Sequence, residues 1–108
     1  MDQRVVDNPA AHRFEIYEGD ELAGFVEYHL FGNEIAFLHT EIAQRFEGRG
    51  LAGQLTRYAL DDARQRGRLV LPYCPYTRAW IRKHPEYVDL VPESHRARFE
   101  LSGALGGQ

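Results

Sequence analysis

The segment best suited to chemistry is a turn at residues 45–52, which reads Arg-Phe-Glu-Gly-Arg-Gly-Leu-Ala. Gly48 and Gly50 permit backbone conformations that other residues avoid, and they let a ligand approach the main chain closely. If a helix begins here, its first N–H groups have no partner within the helix and point outward at the positive end of the helix dipole. Such a corner binds phosphate, and Arg49 or Arg45 can add charge. The alternative is that the glycines form an ordinary turn.

Two common nucleotide-binding motifs are excluded by the sequence around this turn. The chain has no G-x-x-x-x-G-K-[ST] segment, so it is not a P-loop protein. No third glycine follows at the spacing of a dinucleotide-binding fingerprint. Phosphate binding, if it occurs, therefore depends on the backbone of a shorter turn.

Three side chains away from the glycines could take part in catalysis. Cys74 is the only cysteine, and it is either a nucleophile or a small buried apolar residue. His39 is either a general base near neutral pH or a structural histidine, and Glu41 is a second candidate base. The remaining histidines have no metal-ligand spacing with Cys74, so no metal site is expected.

Periodicity predicts the elements that position these residues. Alternating apolar and polar residues predict strands at 12–17, 22–31 and 34–42, separated by turns at 18–21 and 32–33. The third strand is apolar on both faces, so we expect it to be central and covered on both sides. An amphipathic helix is predicted at 50–66, ending before Gly67. A buried strand at 69–73 and a short helix at 76–84, stopped near Pro85, follow.

This order of elements predicts an α+β fold with a mixed, mostly antiparallel central sheet and two to three helices. The 108 residues suffice for one domain, spanning the whole chain 1–108. Residues 86–101 carry enough apolar side chains to pack back on the body. Residues 1–11, which are polar and contain Asn8-Pro9, are expected to be flexible, as are the small residues 102–108.

Composition narrows the function classes. A hydrophobic fraction of 44% is that of a globular protein, and a net charge of −3 gives no support to nucleic-acid binding. The apolar runs are too short for a membrane span, and the first seven residues have no apolar core of a signal peptide. One cysteine excludes an internal disulfide. These features predict a cytoplasmic protein.

The stretch 38–52 resembles the acyl-CoA-binding segment of the GNAT N-acetyltransferase superfamily, whose signature is [Q/R]-x-x-G-x-[G/A] between a strand and a helix. Two registers are possible. Arg45-x-x-Gly48-x-Gly50 matches the letters directly. Glu47-x-x-Gly50-x-Ala52 better matches the usual distance from strand to helix, and we prefer it. It places a glutamate where arginine or glutamine is expected, which affects the side-chain contact to phosphate but not the backbone contacts.

The chain resembles more specifically the minimal GNAT-like proteins that lack the usual first helices. His39-Thr40, the segment 71–76 (Leu-Pro-Tyr-Cys-Pro-Tyr) and the segment 81–87 carry this resemblance, which covers about residues 12–90. It implies acetyl-CoA as the cofactor and a sheet splayed at the cofactor strand, with the pantetheine arm in the split. The cofactor-binding residues that it implies are Thr40, Glu41, Ile42, Glu47, Gly48, Arg49, Gly50, Leu51, Ala52 and Cys74.

The resemblance implies an N-acetyltransferase that acts on a small-molecule or protein amine, as a monomer or a homodimer. Cys74 would form an acetyl-cysteine or protonate the departing CoA thiolate, His39 would be the base, and Tyr76 could be the acid. A non-catalytic acyl-CoA-binding or sensing module on the same fold is the first alternative, favoured by the short chain. The second is a thiol enzyme built on Cys74 and His39 that does not use CoA.

Overall fold

The computed structural model describes residues 2–101, which form one five-stranded sheet with helices packed against it. The strands lie in the sheet in chain order; the first four pair antiparallel, and the fifth pairs parallel with the fourth. They are β1 Gln3–Asn8, β2 Arg13–Glu18, β3 Glu21–Phe31, β4 Glu34–Ile42 and β5 Leu69–Pro72. The longer helices are α1 Leu51–Gln65, α2 Pro75–Lys83 and a 3-10 helix at Pro85–Leu90, and single 3-10 turns lie at Pro9–Ala11, Gln44–Phe46 and Glu93–His95. The predicted α+β fold with a mixed sheet is confirmed.

Strand β1 corrects the prediction that residues 1–11 are flexible. Gln3–Asn8 pair with β2 along their whole length and form one edge of the sheet. A 3-10 turn at Pro9–Ala11 joins the two strands, and His12 follows it with φ of 56°. The Asn8 side chain accepts a hydrogen bond from the Ala11 N–H at 3.3 Å, so the Asn-Pro pair makes a hairpin connection. The predicted flexibility of 102–108 lies outside the described residues.

The core lies between the sheet and α1. The helix buries Leu55, Leu60 and Ala63 at its face towards the strands, as the spacing of three and four predicts. Phe14 of β2 and Phe37 of β4 are fully buried opposite them. Beyond α2, the segment 86–101 buries Val88, Val91, Phe99 and Leu101. It therefore packs back on the body as predicted.

Strand β4 contains a β-bulge at Leu38. Glu27 and Tyr28 are neighbours in β3, but their partners in β4 are His39 and Phe37, so Leu38 is an extra residue without a partner. Side chains alternate across a strand, and one extra residue reverses that alternation. Phe37 is buried in the core, and beyond the bulge it is Thr40 and Ile42, not His39, that line a groove at the start of α1.

The prediction that β4 is central and covered on both sides is confirmed only for its first half, where the strand pairs with both β3 and β5 and buries Ile35, Ala36 and Phe37. The strand is second from the edge of the sheet, and its pairing with β5 covers only Glu34 to Phe37. Leu38, expected to be covered, is 45% exposed. The strand is buried where it pairs on both sides and open where it continues past β5.

Candidate functional site

A split in the sheet defines the candidate site. Strand β5 ends at Pro72 opposite Phe37, while β4 continues five residues further to Ile42. The edge of β4 that faces β5 therefore has no strand partner from Leu38 onward. The Cys74 N–H donates to the Phe37 carbonyl at 2.8 Å and closes the inner end of the split. An extended ligand arm could bind the free backbone groups of β4 as an added strand would.

A groove of about 290 Å³ runs from this edge to the start of α1. It is lined by Thr40, Ile42, Phe46, Glu47, Gly48, Gly50, Leu51, Ala52, Gly53 and Tyr76. Eight of these ten were sequence-predicted site residues. Phe46 and Gly53 were missed, because an apolar residue in a turn and a glycine inside a helix resemble ordinary packing positions.

The glycine turn presents unpaired backbone donors to the groove. Gly48 and Gly50 have φ of 83° and 76°, a region that costs a residue with a Cβ about 1–2 kcal/mol. Gly50 directly precedes α1 and no side chain caps the helix. The first helical bond runs from the Gln54 N–H to the Gly50 carbonyl, so the N–H groups just before it have no acceptor within the helix. This geometry can hold an anion.

Cys74 lies between the split and the start of α2. Its side chain is 2% exposed, and its Sγ is 3.3 Å from Thr40 Oγ1. Burial raises the pKa of the Cys74 thiol, but hydrogen bonds from the Thr40 hydroxyl and from the backbone of Thr77 and Tyr76 outweigh it. The net pKa is below the ordinary value, as expected for a thiolate at a helix N-terminus.

Tyr76 lies one residue into α2 and lines the groove. Burial, together with the charge of Cys74, raises the pKa of its phenol above the ordinary value. The two neighbouring groups are thus shifted in opposite directions: the thiol towards its ionised form and the phenol towards its neutral form. Pairs shifted apart in this way commonly serve as base or nucleophile and as acid.

His39 and Glu41 are on the other face of β4 from Thr40, because side chains alternate along a strand. The bulge at Leu38 determines that Thr40, rather than His39, faces the groove. His39 Nε2 is 2.8 Å from Glu41 Oε2, and both side chains are more than half exposed. The carboxylate can only accept, so Nε2 donates and Nδ1 is the nitrogen that can take a proton. The structure does not bring this pair together with Cys74 and Tyr76 on the groove side of the strand.

The two arginines beside the glycine turn point away from it. Arg49 Nη1 donates to Glu18 at 2.9 Å, and Arg45 Nη2 donates to Glu21 at 2.7 Å. Both guanidinium groups also lie over the Phe46 ring. The charge expected from Arg49 is thus neutralised by a carboxylate, and Glu47 adds a negative side chain to the groove. Anion binding here depends on the backbone.

Comparison with known proteins identifies the family to which this fold and site belong. The sequence profile described as GCN5-related N-acetyl-transferase matches residues 13–90, which include the split, the glycine turn and Cys74. The chain belongs to this family. The structure is similar to the NMR solution structure of a GCN5-like candidate N-acetyltransferase from Staphylococcus aureus, at 19% sequence identity and a TM-score of 0.64. That similarity covers 82% of this chain and 87% of the other. A comparison with curated proteins gave no significant match.

As a GCN5-related N-acetyltransferase, the chain is an acetyltransferase by family, and its resemblance to the GNAT superfamily is confirmed. Gly50 is the residue before α1, which supports the register Glu47-x-x-Gly50-x-Ala52. Within residues 2–101, no helix is long and apolar enough to cross a membrane.

Replacing Thr40 with valine should raise the pKa of Cys74. The hydroxyl stabilises the thiolate, and valine has nearly the same shape but no donor. Since only the thiolate is alkylated, the alkylation rate rises with pH through the pKa of Cys74. We expect this rise to occur at higher pH in Thr40→Val than in the wild type, measured with iodoacetamide. Coincident pH profiles would contradict the role assigned to Thr40.

Proposed function

We propose that this acetyltransferase transfers the acetyl group of acetyl-CoA to an amine. The observation that carries the proposal is the unpaired edge of β4, which joins the open glycine turn at one end and Cys74 at the other. This arrangement suits a long, narrow cofactor with a diphosphate in the middle, which would meet the turn, and a thioester at one end, which would meet Cys74. Pantetheine amides would bind the backbone at Thr40, Glu41 and Ile42, and the diphosphate would bind the turn.

The turn has room for such a group. A Cβ placed on Gly48 or Gly50 would meet no atom within 4 Å, so both glycines face open space. The donors required are backbone N–H groups, which are present at the start of α1. The departure at Glu47 removes a side-chain contact to phosphate and leaves these backbone donors unchanged. The residues therefore fit coenzyme A.

We assign Cys74 as the nucleophile. Its thiolate would attack the thioester carbonyl, forming an acetyl-cysteine and releasing the CoA sulfur as a thiolate. Tyr76, which its raised pKa keeps protonated, would donate a proton to that sulfur. Exchange of one thioester for another leaves the acetyl group activated for attack by an amine. The lowered pKa of Cys74 supports this route over direct transfer, in which the thiol would only donate a proton.

The acceptor amine would approach from the face of β4 that carries His39, because that face is opposite the one that Thr40 presents to Cys74. It would reach the acetyl group through the split beyond the end of β5. His39 Nδ1 would take the amine proton as a bond forms from nitrogen to the acetyl carbon and the Cys74 thiolate leaves. Glu41 holds His39 in the required tautomer through the bond at Nε2. His39 is thereby a base and Glu41 a positioning residue. The acceptor is a small molecule or a protein amine, and we place the reaction in the cytoplasm, where a free thiol persists.

Isothermal titration with acetyl-CoA, followed by turnover assays with amines, tests the proposal. We expect micromolar binding and acetylation of at least one primary amine, detected by release of CoA thiol. Failure of the folded protein to bind acetyl-CoA at millimolar concentration would overturn the proposal. Binding without acetylation of any amine would instead favour a non-catalytic acyl-CoA-binding module.

A further inference from the structure

A second groove lies between α1 and α2 and continues from the first. Its volume is about 470 Å³, and Gly50 and Gly53 line both grooves. The two therefore meet at the start of α1, where the unpaired backbone donors lie. A molecule whose diphosphate binds at this point can extend one arm along β4 and the other arm between the helices.

Trp80 and His84 form a stacked aromatic surface in this second groove. Their rings stack at 3.8 Å with an interplanar angle of 16°, and Trp80 is 7% exposed. His84 Nδ1 lies 2.8 Å from the Trp80 carbonyl and donates to it, since a carbonyl only accepts. This bond leaves Nε2, which has no hydrogen-bond partner within residues 2–101, free for a ligand.

Arg57 supplies the positive charge of the groove. Its guanidinium lies 5.1 Å from the centre of the Trp80 ring, and its Nη1 donates to the Tyr87 hydroxyl at 3.2 Å. Within residues 2–101 it has no carboxylate partner, unlike Arg45 and Arg49. Asp61, the acidic residue that lines this groove, is not paired with Arg57 and instead accepts a hydrogen bond from the Tyr87 hydroxyl at 2.7 Å. Arg57 is thus held in place by aromatic rings while its charge stays available to an anion.

Two arginines of α2 are directed away from this groove. Arg78 donates to the Tyr73 carbonyl at 3.1 Å, and Arg82 pairs with Glu100 at 3.4 Å. The run of basic residues in the sequence of α2 is therefore not one patch. His84, which follows the last residue of α2, lines the groove together with Arg57 from α1.

We propose that the groove between α1 and α2 binds the nucleotide end of coenzyme A, and that Arg57 and His84 recognise its 3′-phosphate. The inference rests on the proposed use of acetyl-CoA and adds the residues that select the phosphorylated nucleotide. A phosphate monoester suits Arg57, because a guanidinium with free donors binds phosphate oxygens in pairs. His84 Nε2 adds a donor when the ring is protonated.

Isothermal titration of the whole chain with coenzyme A and with 3′-dephospho-coenzyme A tests the inference. The wild type should bind coenzyme A about tenfold more tightly, as expected for one charge-assisted contact to phosphate. Arg57→Gln should lower the affinity for coenzyme A to that for the dephospho form, and it should leave the affinity for the dephospho form unchanged. His84→Gln should also reduce the preference for coenzyme A over the dephospho form, and it tests the imidazole while Arg57 stays in place. The matched control is Arg64→Gln, on the same helix but paired with Asp89, and it should keep the preference.

The outcomes separate the two proposals. Equal binding of both ligands by the wild type would overturn the role of the groove and leave acetyl-CoA binding intact. An equal loss of affinity for both ligands in Arg57→Gln would also overturn the role of the groove, because the arginine would then act on the fold rather than on the 3′-phosphate. Failure of the wild type to bind either ligand would refute the use of coenzyme A itself, and with it this inference.

Discussion

Gly50→Asp should reduce the affinity for acetyl-CoA by about 100-fold or more, whereas Gly50→Asn should retain most of it. Gly50 caps α1 with φ of 76° and faces the groove. Aspartate and asparagine have nearly the same shape and both tolerate this backbone region. They differ in a negative charge, which would lie where the diphosphate is proposed to bind. Isothermal titration of the two variants isolates the effect of that charge.

This pair of variants also controls for folding. Both residues adopt the left-handed backbone region more readily than other side chains do, and the carboxylate suits the positive end of α1. Gly50→Asp should therefore unfold at a temperature close to that of Gly50→Asn. Equal affinities of the two variants for acetyl-CoA would show that the diphosphate does not bind at the start of α1.

Cys74→Ala should lower kcat by at least about 100-fold while acetyl-CoA binding is retained. Cys74→Ser is the matched control, since serine keeps a hydroxyl near Thr40 but is a weaker nucleophile. Both variants should be nearly inactive. The wild type, incubated with acetyl-CoA and no amine, should carry one acetyl group on Cys74 by mass spectrometry. Turnover by Cys74→Ala within a few-fold of the wild type would exclude the acetyl-cysteine and favour direct transfer.

The two halves of the reaction can be assigned to different residues by the same assay. Tyr76→Phe removes the proposed proton donor to CoA and should slow acetylation of Cys74. His39→Gln removes the base and should leave that step unchanged, while slowing transfer from acetylated Cys74 to the amine. Slowing of the first half-reaction by His39→Gln would contradict the placement of His39 on the acceptor side.

The local part of the fold could be predicted from the sequence. Three antiparallel strands, α1, β5 and α2 follow from periodicity and from glycine or proline at their ends. The glycine turn could also be located, because it joins a strand to an amphipathic helix. These features are encoded within a few residues of one another, which is why one sequence suffices to find them.

The missed features depend on contacts between distant residues. Strand β1 has only Val5 and Val6 as an apolar signal, and it is ordered by pairing with β2. The bulge at Leu38 can be recognised only from the register of β3 against β4. Similarly, the ion pair of Arg49 with Glu18 joins residues far apart in sequence. No local pattern specifies such pairings.

The single extra residue at Leu38 determines which face of β4 lines the groove, so the site depends on the length of the strand as well as on its residue types. Beyond Leu38, even-numbered side chains of β4 line the groove, and Thr40 contacts Cys74. Deleting one residue here would exchange the two faces, so that His39 and Glu41 entered the groove and Thr40 left it. A change of chain length at this point would therefore alter several contacts at once, although it removes no residue assigned to the chemistry.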